Sequence, residues 1–331
     1  MARNDYIALA SQSAFGTAST TWAFFPPVTS CDLDGAQNLM EIEETTGSYA
    51  PEDLEYGTKD VSGNIELAAR PDSLGAFLSM AFGEPTTTAT VAAEVFSHVF
   101  AVGTAPTYWS VLKVNADPST DIVRSFQDVA IDSFGFTVAP NDYMQLTLGC
   151  MGTDFDLDAT GTSVTRDSTP KFHFNHVAVQ VALVGGSYAD AATGELTGTI
   201  TNGLDGENWQ LGSRTRYDIK AYNRNANLDL LLLGNESTYY AASLADTAAA
   251  YKLKVTCTGD TFHTAGETPH KYALTFEFPR VQVASAPAPV SASDQMKGIE
   301  VSFRASSDPT TGDICNITLV NDNDGDDYYV S

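Results

Sequence analysis

The chain has 331 residues, 43% of them hydrophobic, which is enough for one large or two ordinary domains with real cores. Its 42 acidic and 17 basic residues give a formal net charge of -25, and this argues against a nucleic-acid-binding role, because phosphate contacts need Lys and Arg. No apolar run approaches the roughly 18 residues of a membrane span and no signal segment opens the chain, so we expect a soluble protein, made in a cytoplasm, without a membrane partner.

The first 27 residues are rich in Ala, Ser and Thr and lack a helical period, which predicts an extended N-terminal arm. Trp22, Phe24 and Phe25 give this arm an aromatic anchor, and such arms often dock on a neighbouring subunit. Residues 39–63 are acidic and turn-rich, so they predict a long ordered loop within a first β-rich unit at residues 28–160.

The first unit has a regular order of elements. A strand at residues 64–67 is followed by a short helix, which is predicted by Leu74, Phe77, Leu78 and Ala81 because these residues fall on one helical face. Residues 133–138 and 144–148 then alternate between apolar and polar side chains. This period of two predicts strands with one buried face.

A second unit at residues 161–320 repeats this order with different residues. A strand at 227–230 precedes a weaker helical pattern formed by Ala241, Leu244 and Ala248, and alternating strands follow it. The repeated order of elements predicts that the chain contains the same β-rich unit twice. The alternative is that the two halves are unrelated β-rich segments. The polar residues 321–331 predict an acidic C-terminal tail, either a flexible end or a second arm.

The sequence lacks the usual catalytic motifs. There is no P-loop, dinucleotide-binding glycine loop, nucleophile elbow or HExxH motif, which predicts a protein without catalysis and without a cofactor. Four scattered cysteines, at positions 31, 150, 257 and 315, are expected to be mostly buried free thiols.

Three groups of possible metal ligands remain. Asp154, Asp156 and Asp158 place three carboxylates on one face of an extended segment, and residues 321–327 supply a further run of oxygen ligands, which suits a hard cation such as calcium. His173 and His176 are three positions apart, and on a strand they would point to opposite faces, so we do not expect them to share a metal.

Short phrases spread along nearly the whole chain resemble the tail tube proteins, also called major tail proteins, of long-tailed double-stranded DNA viruses. They include residues 16–18 with Trp22, then residues 63–67, 70–75, 96–100, 109–111, 198–204, 212–213 and 276–281. Residues 128–134 stand where such proteins usually carry a glycine, which is absent here.

This resemblance implies a mainly β fold with two tandem β-sandwich or half-barrel units, each flanked by a short α-helix. It also implies that inner sheets close a barrel when copies join, and that rings stack into a tube in the virion tail after assembly in the host cytoplasm. Two units per chain favour a trimeric ring over a hexamer. The implied partners are further copies of the chain, tape-measure and tail terminator or tip proteins, and DNA in transit.

The acidic composition then has a role, since carboxylates lining the bore would repel passing DNA. Strand alternation yields five lumenal candidates: Glu66, Asp132, Asp229, Glu277 and Glu300. The arm, the 39–63 loop and the tail yield the candidates for contacts between rings: Trp22, Phe24, Phe25, Glu41, Glu43, Glu44, Tyr49, Glu52, Asp53, Tyr56, Tyr328 and Tyr329. A surface adapted to high salt also explains the charge, and a β-sandwich surface protein that binds sugar or calcium is the alternative function.

Overall fold

The computed structural model describes residues 5–41, 54–91, 94–102, 107–117, 120–157, 159–233, 237–245, 249–287 and 298–328. The protein is mainly β, as expected. The strands of the first half are β1 Tyr6–Ser11, β2 Ser30–Cys31, β3 Asp34–Glu41, β4 Leu54–Ala68, β5 Thr86–Val91, β6 Val95–Ala101, β7 Trp109–Asn115, β8 Ile122–Val138, β9 Gln145–Gly152 and β10 Asp154–Asp156. Those of the second half are β11 Val177–Leu183, β12 Ala189–Asp190, β13 Thr193–Thr201, β14 Leu204–Asp205, β15 Lys220–Ala221, β16 Asn225–Leu232, β17 Ala250–Ala265, β18 Thr268–Ser285, β19 Ile299–Ala305 and β20 Asn316–Asn321.

Each half contains one α-helix, α1 at Pro71–Phe82 and α2 at Ser237–Ser243, and two 3-10 turns span Phe174–His176 and Asp326–Tyr328. Helix α1 begins where the sequence predicts, with Pro71 in the first turn, Asp72 favourable for the helix dipole, and Gly83 with a φ of 99° after its end. None of the helices in the described ranges is long and apolar enough to cross a membrane.

The largest part of the fold is a continuous antiparallel sheet with eight strand positions, which we call the long sheet; β2 and β3 share its first position. Its order is β2 and β3, then β4, β9, β8, β13, β16, β19 and β18. Two side sheets share its long strands: β1–β7–β8–β10 in the first half and β11–β17–β18–β20 in the second. Among the described residues, these pairings do not close into a barrel.

The long sheet and the side sheets bury most of their apolar side chains in one core, and a small second cluster contains Ala8 of β1 with Leu112 and Val114 of β7. The Phe136 ring of β8 stacks at 4.5 Å on the Phe276 ring of β18, and both belong to the same cluster as Leu9, Leu148 and Val255. Such stacked aromatic pairs contribute beyond their buried area. The alternation seen at residues 133–138 and 144–148 therefore orients one face of β8 and β9 towards this core.

The two halves use the same pairing scheme. In each half the first strand pairs with the strand that precedes the long strand, and that strand pairs with the long strand itself: β1–β7–β8 and β11–β17–β18. In the first half β5 and β6 lie between α1 and β7, whereas β17 is the first described strand after α2. The next strand along the chain pairs with the end of the long strand and with the strand that precedes the helix: β8–β9–β4 and β18–β19–β16.

Some irregularities of the pairing also coincide. The long strand of each half has a register shift near the end of its pairing with the preceding strand and another in its pairing with the following strand, and β17 and β18 have two further shifts between Thr258 and His263. In the first half, the shift against β7 separates the pairs Trp109↔Val129 and Val111↔Phe126, and the shift against β9 separates Ile131↔Cys150 and Ser133↔Gly149. In the second half, the matching shift against β17 separates Tyr251↔Val281 and Leu253↔Phe278, and the shift against β19 separates Val283↔Phe303 and Ser285↔Ser302. Bulges are specific structural features, and these four lie at matching places in the two halves.

Three segments differ from the sequence-based expectation. Residues 6–11 of the expected arm form β1, and Leu9 is completely buried, because this short run is apolar on both faces rather than alternating. The expected loop at 39–63 includes a long antiparallel hairpin, since β3 pairs along residues 54–62 of β4. β3 is exposed on both sides, and residues 54–60 of β4 are exposed or half-buried, so these stretches lack the alternation of a strand with one buried face.

The expected tail also folds onto the protein. Residues 316–321 form β20, and the chain then turns back so that Tyr328 is completely buried against α1. All four cysteines are free thiols, and Cys31 is the one that is only half-buried.

Candidate functional site: the polar face of the long sheet

The long sheet presents a polar face on the side away from the core. Cross-strand pairing places its side chains in rows, with Glu66, Thr147, Thr199, Asn227 and Arg304 in one row. The row on one side contains Gln145, Thr137, Thr197, Asp229 and Ser302, and the row on the other contains Asn64, Ser133, Thr201 and Asn225. Hydroxyl groups therefore outnumber charges on this face.

The pairing brings together three of the five lumenal candidates. Glu66, Asp229 and Glu300 are exposed on the polar face. Serine hydroxyls donate to two of them, Ser30 to Glu66 at 2.9 Å and Ser302 to Asp229 at 2.5 Å. These carboxylates are held in place by neighbours on the same sheet rather than by cations.

The other two candidates are placed differently. Asp132 lies at the register shift of β8, and its carboxylate accepts a hydrogen bond from the Leu204 amide at 2.7 Å, so it anchors the start of β14. Glu277 lies in the second side sheet, not on the polar face, and it accepts a hydrogen bond from the Tyr188 hydroxyl at 2.8 Å. Burial, followed by this bond to Glu277, raises the pKa of Tyr188.

Several candidates for contacts between rings belong to the protein's own interior. Phe24 and Phe25 are 6% and 8% exposed, and the Phe24 ring stacks at 5.5 Å on Tyr328, which is fully buried. Trp22 is half-buried beside the small cluster that contains Phe25. Because Phe24, Phe25 and Tyr328 have no surface to offer a second copy, the expectation for these three is corrected.

Other candidates do lie on the surface. Glu41 and Tyr56 are exposed on the β3–β4 hairpin, where Leu39, Met40 and Leu54 are also more than half exposed. This end of the hairpin is thus an exposed surface with a high apolar content. The remaining candidates lie outside the described residues: Glu43, Glu44, Tyr49, Glu52, Asp53 and Tyr329.

Arg216 is a buried side chain that the sequence analysis did not identify. Its guanidinium pairs with Asp60 of the hairpin, donates to the carbonyl oxygens of Gly152 and Gly206, and lies 5.2 Å from the Trp209 ring centroid. The connection between β13 and β16 thereby braces the base of the hairpin. Nothing periodic marks such a residue, and the scarcity of basic residues is the only signal in the sequence.

Asp128 lies in the segment where the resemblance leads one to expect a glycine, and its backbone conformation is one that glycine favours. It has a φ of 53°, a left-handed conformation that glycine adopts at little cost, and it lies at the first register shift of β8. Its carboxylate accepts hydrogen bonds from the Gly16 amide at 2.7 Å and from the Thr153 hydroxyl. Burial raises the pKa of Asp128, and these two bonds oppose that shift.

The possible metal ligands do not assemble into a cluster. Asp154 pairs with Lys59 at 2.5 Å, Asp158 lies outside the described residues, and the part of the chain that is described contains no group of three His, Cys, Asp or Glu side chains suited to a metal. The His173 and His176 rings, expected on opposite faces, lie 3.6 Å apart because residues 174–176 form a 3-10 turn instead of a strand. Burial lowers the pKa of His176, and the neighbouring His173 lowers it further.

Comparison with known proteins now adds the family. A search among curated proteins finds no match. A family model described as phage tail tube protein matches residues 2–305, which is nearly the whole chain. The resemblance carried by the sequence phrases is confirmed, and the protein belongs to the phage tail tube protein family, as a structural subunit of the tail tube.

Proposed function

We propose that three copies of this chain form a ring with pseudo-sixfold symmetry, and that stacked rings conduct double-stranded DNA along the polar face of the long sheet. The observation that carries the proposal is the pairing of β8 with β13. Through this pairing the last long-sheet strand of the first half joins the first strand of the second half. One chain therefore contains a junction between two similar units, which serves as a template for the junction between chains.

The matched pairing scheme supports two tandem units. Each half supplies the same four positions of the long sheet, and both register shifts recur in each long strand. Three chains would bring six such units together. A closed ring of six units then has only one kind of junction, made half within chains and half between them.

The ends of the long sheet fit this arrangement. At one end lies the edge of β2 and β3, and at the other lies the last part of β18, after its pairing with β17 ends at Gln282. Pairing β18 of one copy with β2 and β3 of the next repeats the antiparallel β8–β13 junction. Closure of this kind covers edges that would otherwise recruit other strands.

The polar face has the composition of a wall that does not hold DNA. Its carboxylates repel phosphates, and a single exposed pair contributes only about 1 kcal/mol at 4 Å in water, so the effect depends on repetition along the tube. Between the charges lie threonine and serine hydroxyls, which are neutral. Arg304 is the one cation in the described rows, too few to form the basic stripe that binds a duplex.

The β3–β4 hairpin is proposed to make the contact between successive rings. Its exposed apolar end and its brace at Arg216 suit a projecting, positioned arm, with Glu41 and Tyr56 among the contacting residues. A ring that binds the next ring through two different surfaces extends into a filament until another protein caps it. Tape-measure and terminator or tip proteins are the proposed partners in that process, in tails assembled in the host cytoplasm.

Electron microscopy of the purified protein tests the ring. We expect rings of three chains with six similar lobes, and light scattering after gel filtration should give the mass of a trimer. Monomers at every protein and salt concentration would overturn the proposal. Six-chain rings would overturn the trimer while leaving the family's tube in place.

A charge substitution tests the proposed wall. The double variant E66K/D229K should make assembled tubes retain a short duplex that the native tubes release, with retention lost in high salt. E277K/E267K makes the same change of charge away from the polar face and serves as the matched control. Equal retention by both variants would contradict the assignment of the polar face to the bore.

A further inference from the structure

The two helices have opposite environments although they occupy the same place in their halves. Eleven of the twelve residues of α1 are buried. In α2, Tyr240 is 43% exposed, and Leu244, just after the helix, is 68% exposed. Within the described residues α2 packs through its inner side, with the Tyr239 ring 5.6 Å from Tyr251 and 5.7 Å from Phe303.

The cover of α1 comes in part from β6 of its own half and in part from the second half of the chain, through β20, the 3-10 turn after it and β18. The Asn321 amide donates to the carbonyl oxygen of Pro71 at 2.9 Å, and the Tyr328 hydroxyl donates to that of Asp72 at 3.1 Å. At the other end of the helix, the Asn202 amide donates to the carbonyl oxygen of Ala81 at 2.6 Å. The helix of one unit is thus closed over by β20 and the segment after it, which belong to the next unit.

We propose that α2 is a docking surface for the first half of another copy of this chain, which covers it as the second half covers α1. The inference rests on the proposed ring, because only a repeated junction places a first half beside each second half. It identifies the residues of a second contact between neighbouring chains, in addition to the proposed strand pairing along the long sheet. Tyr240, Leu244 and the nearby end of β11 at Leu183, which pairs with Tyr251, form this surface.

The strand that approaches α2 follows from the same correspondence. In the second half β20 follows the last long-sheet strand and pairs with β18, and in the first half β10 follows β9 and pairs with β8. The partner surface is therefore β10 with the residue after it, Leu157, which is 63% exposed. Two apolar side chains that are exposed in the single chain, Leu244 and Leu157, face one another in this arrangement.

The charge distribution favours the same surface. The chain has a formal net charge of -25, so copies repel one another wherever acidic surfaces meet. Residues 237–244 contain no charged side chain. An uncharged segment with exposed aromatic and aliphatic residues is the composition found at the centre of protein interfaces.

The first experiment introduces charge into the docking surface. In the double variant Y240D/L244D we expect ring formation to weaken at least tenfold in analytical ultracentrifugation, with an unchanged circular dichroism spectrum and an unchanged melting temperature of the monomer. Leu211 is fully exposed in another loop, so L211D is the matched control and should form rings like the native protein.

The outcomes separate this inference from the proposed function. Native protein that forms trimeric rings, together with a double variant that forms them equally well, would overturn the docking surface and leave the ring standing. Native protein that forms no ring would overturn both.

A cross-link tests the identity of the partner surface even where the charged variant fails to fold. Oxidation of L244C/L157C should give covalently linked chains on a non-reducing gel, because the two positions meet between copies. L211C/L157C should give none, and the single variant L244C corrects for the native thiols. Absence of links in native-like rings of L244C/L157C would show that another surface covers α2.

Discussion

Helices α1 and α2 begin from the same position in the pairing scheme and end in different environments. Both follow a strand of the long sheet that pairs with β9 or β19. The first is enclosed by β6 of its own half together with β20 and the segment up to Tyr328, whereas the packing of α2 against described residues is on one side. The burial of a helix in this protein therefore depends in part on what the adjacent unit contributes, and the following variants test that statement in order of expected effect.

Removal of the Tyr328 side chain should have the largest effect. Y328A takes away a fully buried ring together with its bonds to Asp72 and Asn321, and we expect a loss of about 3–5 kcal/mol in the free energy of unfolding. The control Y240A removes the same type of side chain from the exposed side of α2. It should change the free energy of unfolding of the monomer by less than about 0.5 kcal/mol. Denaturant unfolding of the monomer measures both, and equal losses would contradict the comparison.

Addition of one methyl group to α1 should have the next largest effect. A Cβ atom at Gly75 would overlap the Tyr328 ring, so G75A should destabilise the protein by about 1–3 kcal/mol despite the better helix propensity of alanine. On the exposed side of α2, A241M adds more volume without a matching clash. Thermal unfolding compares the two variants, and a stabilised G75A would show that the C-terminal segment is not seated on α1.

Asn202 connects the end of α1 to the second half. Its amide donates to the carbonyl oxygens of Ala81 and Ile131 at 2.6 and 2.7 Å, so N202A leaves two buried acceptors unpaired and should cost about 1–3 kcal/mol. The exposed Asn223 provides the control N223A. The rate of amide hydrogen exchange at residues 79–83 should increase in N202A and not in N223A. An unchanged rate in N202A would show that Asn202 does not contribute to covering α1.

The smallest expected effect is a dependence of this cover on pH. Burial lowers the pKa of His98 below its ordinary 6.5, although its bonds to Asn321 and Asn323 and the charge of Asp324 oppose the shift. When folding lowers a histidine pKa, the resulting stabilisation is complete above the pKa of the unfolded chain. It is lost as the pH falls through the lower pKa of the folded protein. Protection of residues 321–328 should therefore decrease below pH 6.5, less so in H98Q, while the variant H263Q should keep the native dependence.

Much of the fold is predictable because strand alternation is local. The periods at residues 133–138 and 144–148 correspond to β8 and β9, and the helical spacing from Leu74 to Ala81 lies within α1. The two tandem units inferred from the repeated order of elements stay a prediction. The segments that escaped prediction lack any period: β1 is apolar on both faces, and β3 is exposed on both, with Leu39 and Met40 among its exposed residues.

The sequence by itself determined which face of each strand is polar and which element follows which, since neighbouring residues along a strand point in opposite directions. Only the tertiary structure decided which polar faces lie together. Glu66 and Glu277 show the same alternation, yet the first lies on the long sheet and the second on a side sheet, because strand partners far apart in the chain make that choice. The same holds for α1, whose outer side is apolar for a reason that becomes visible only when residues 321–328 pack against it.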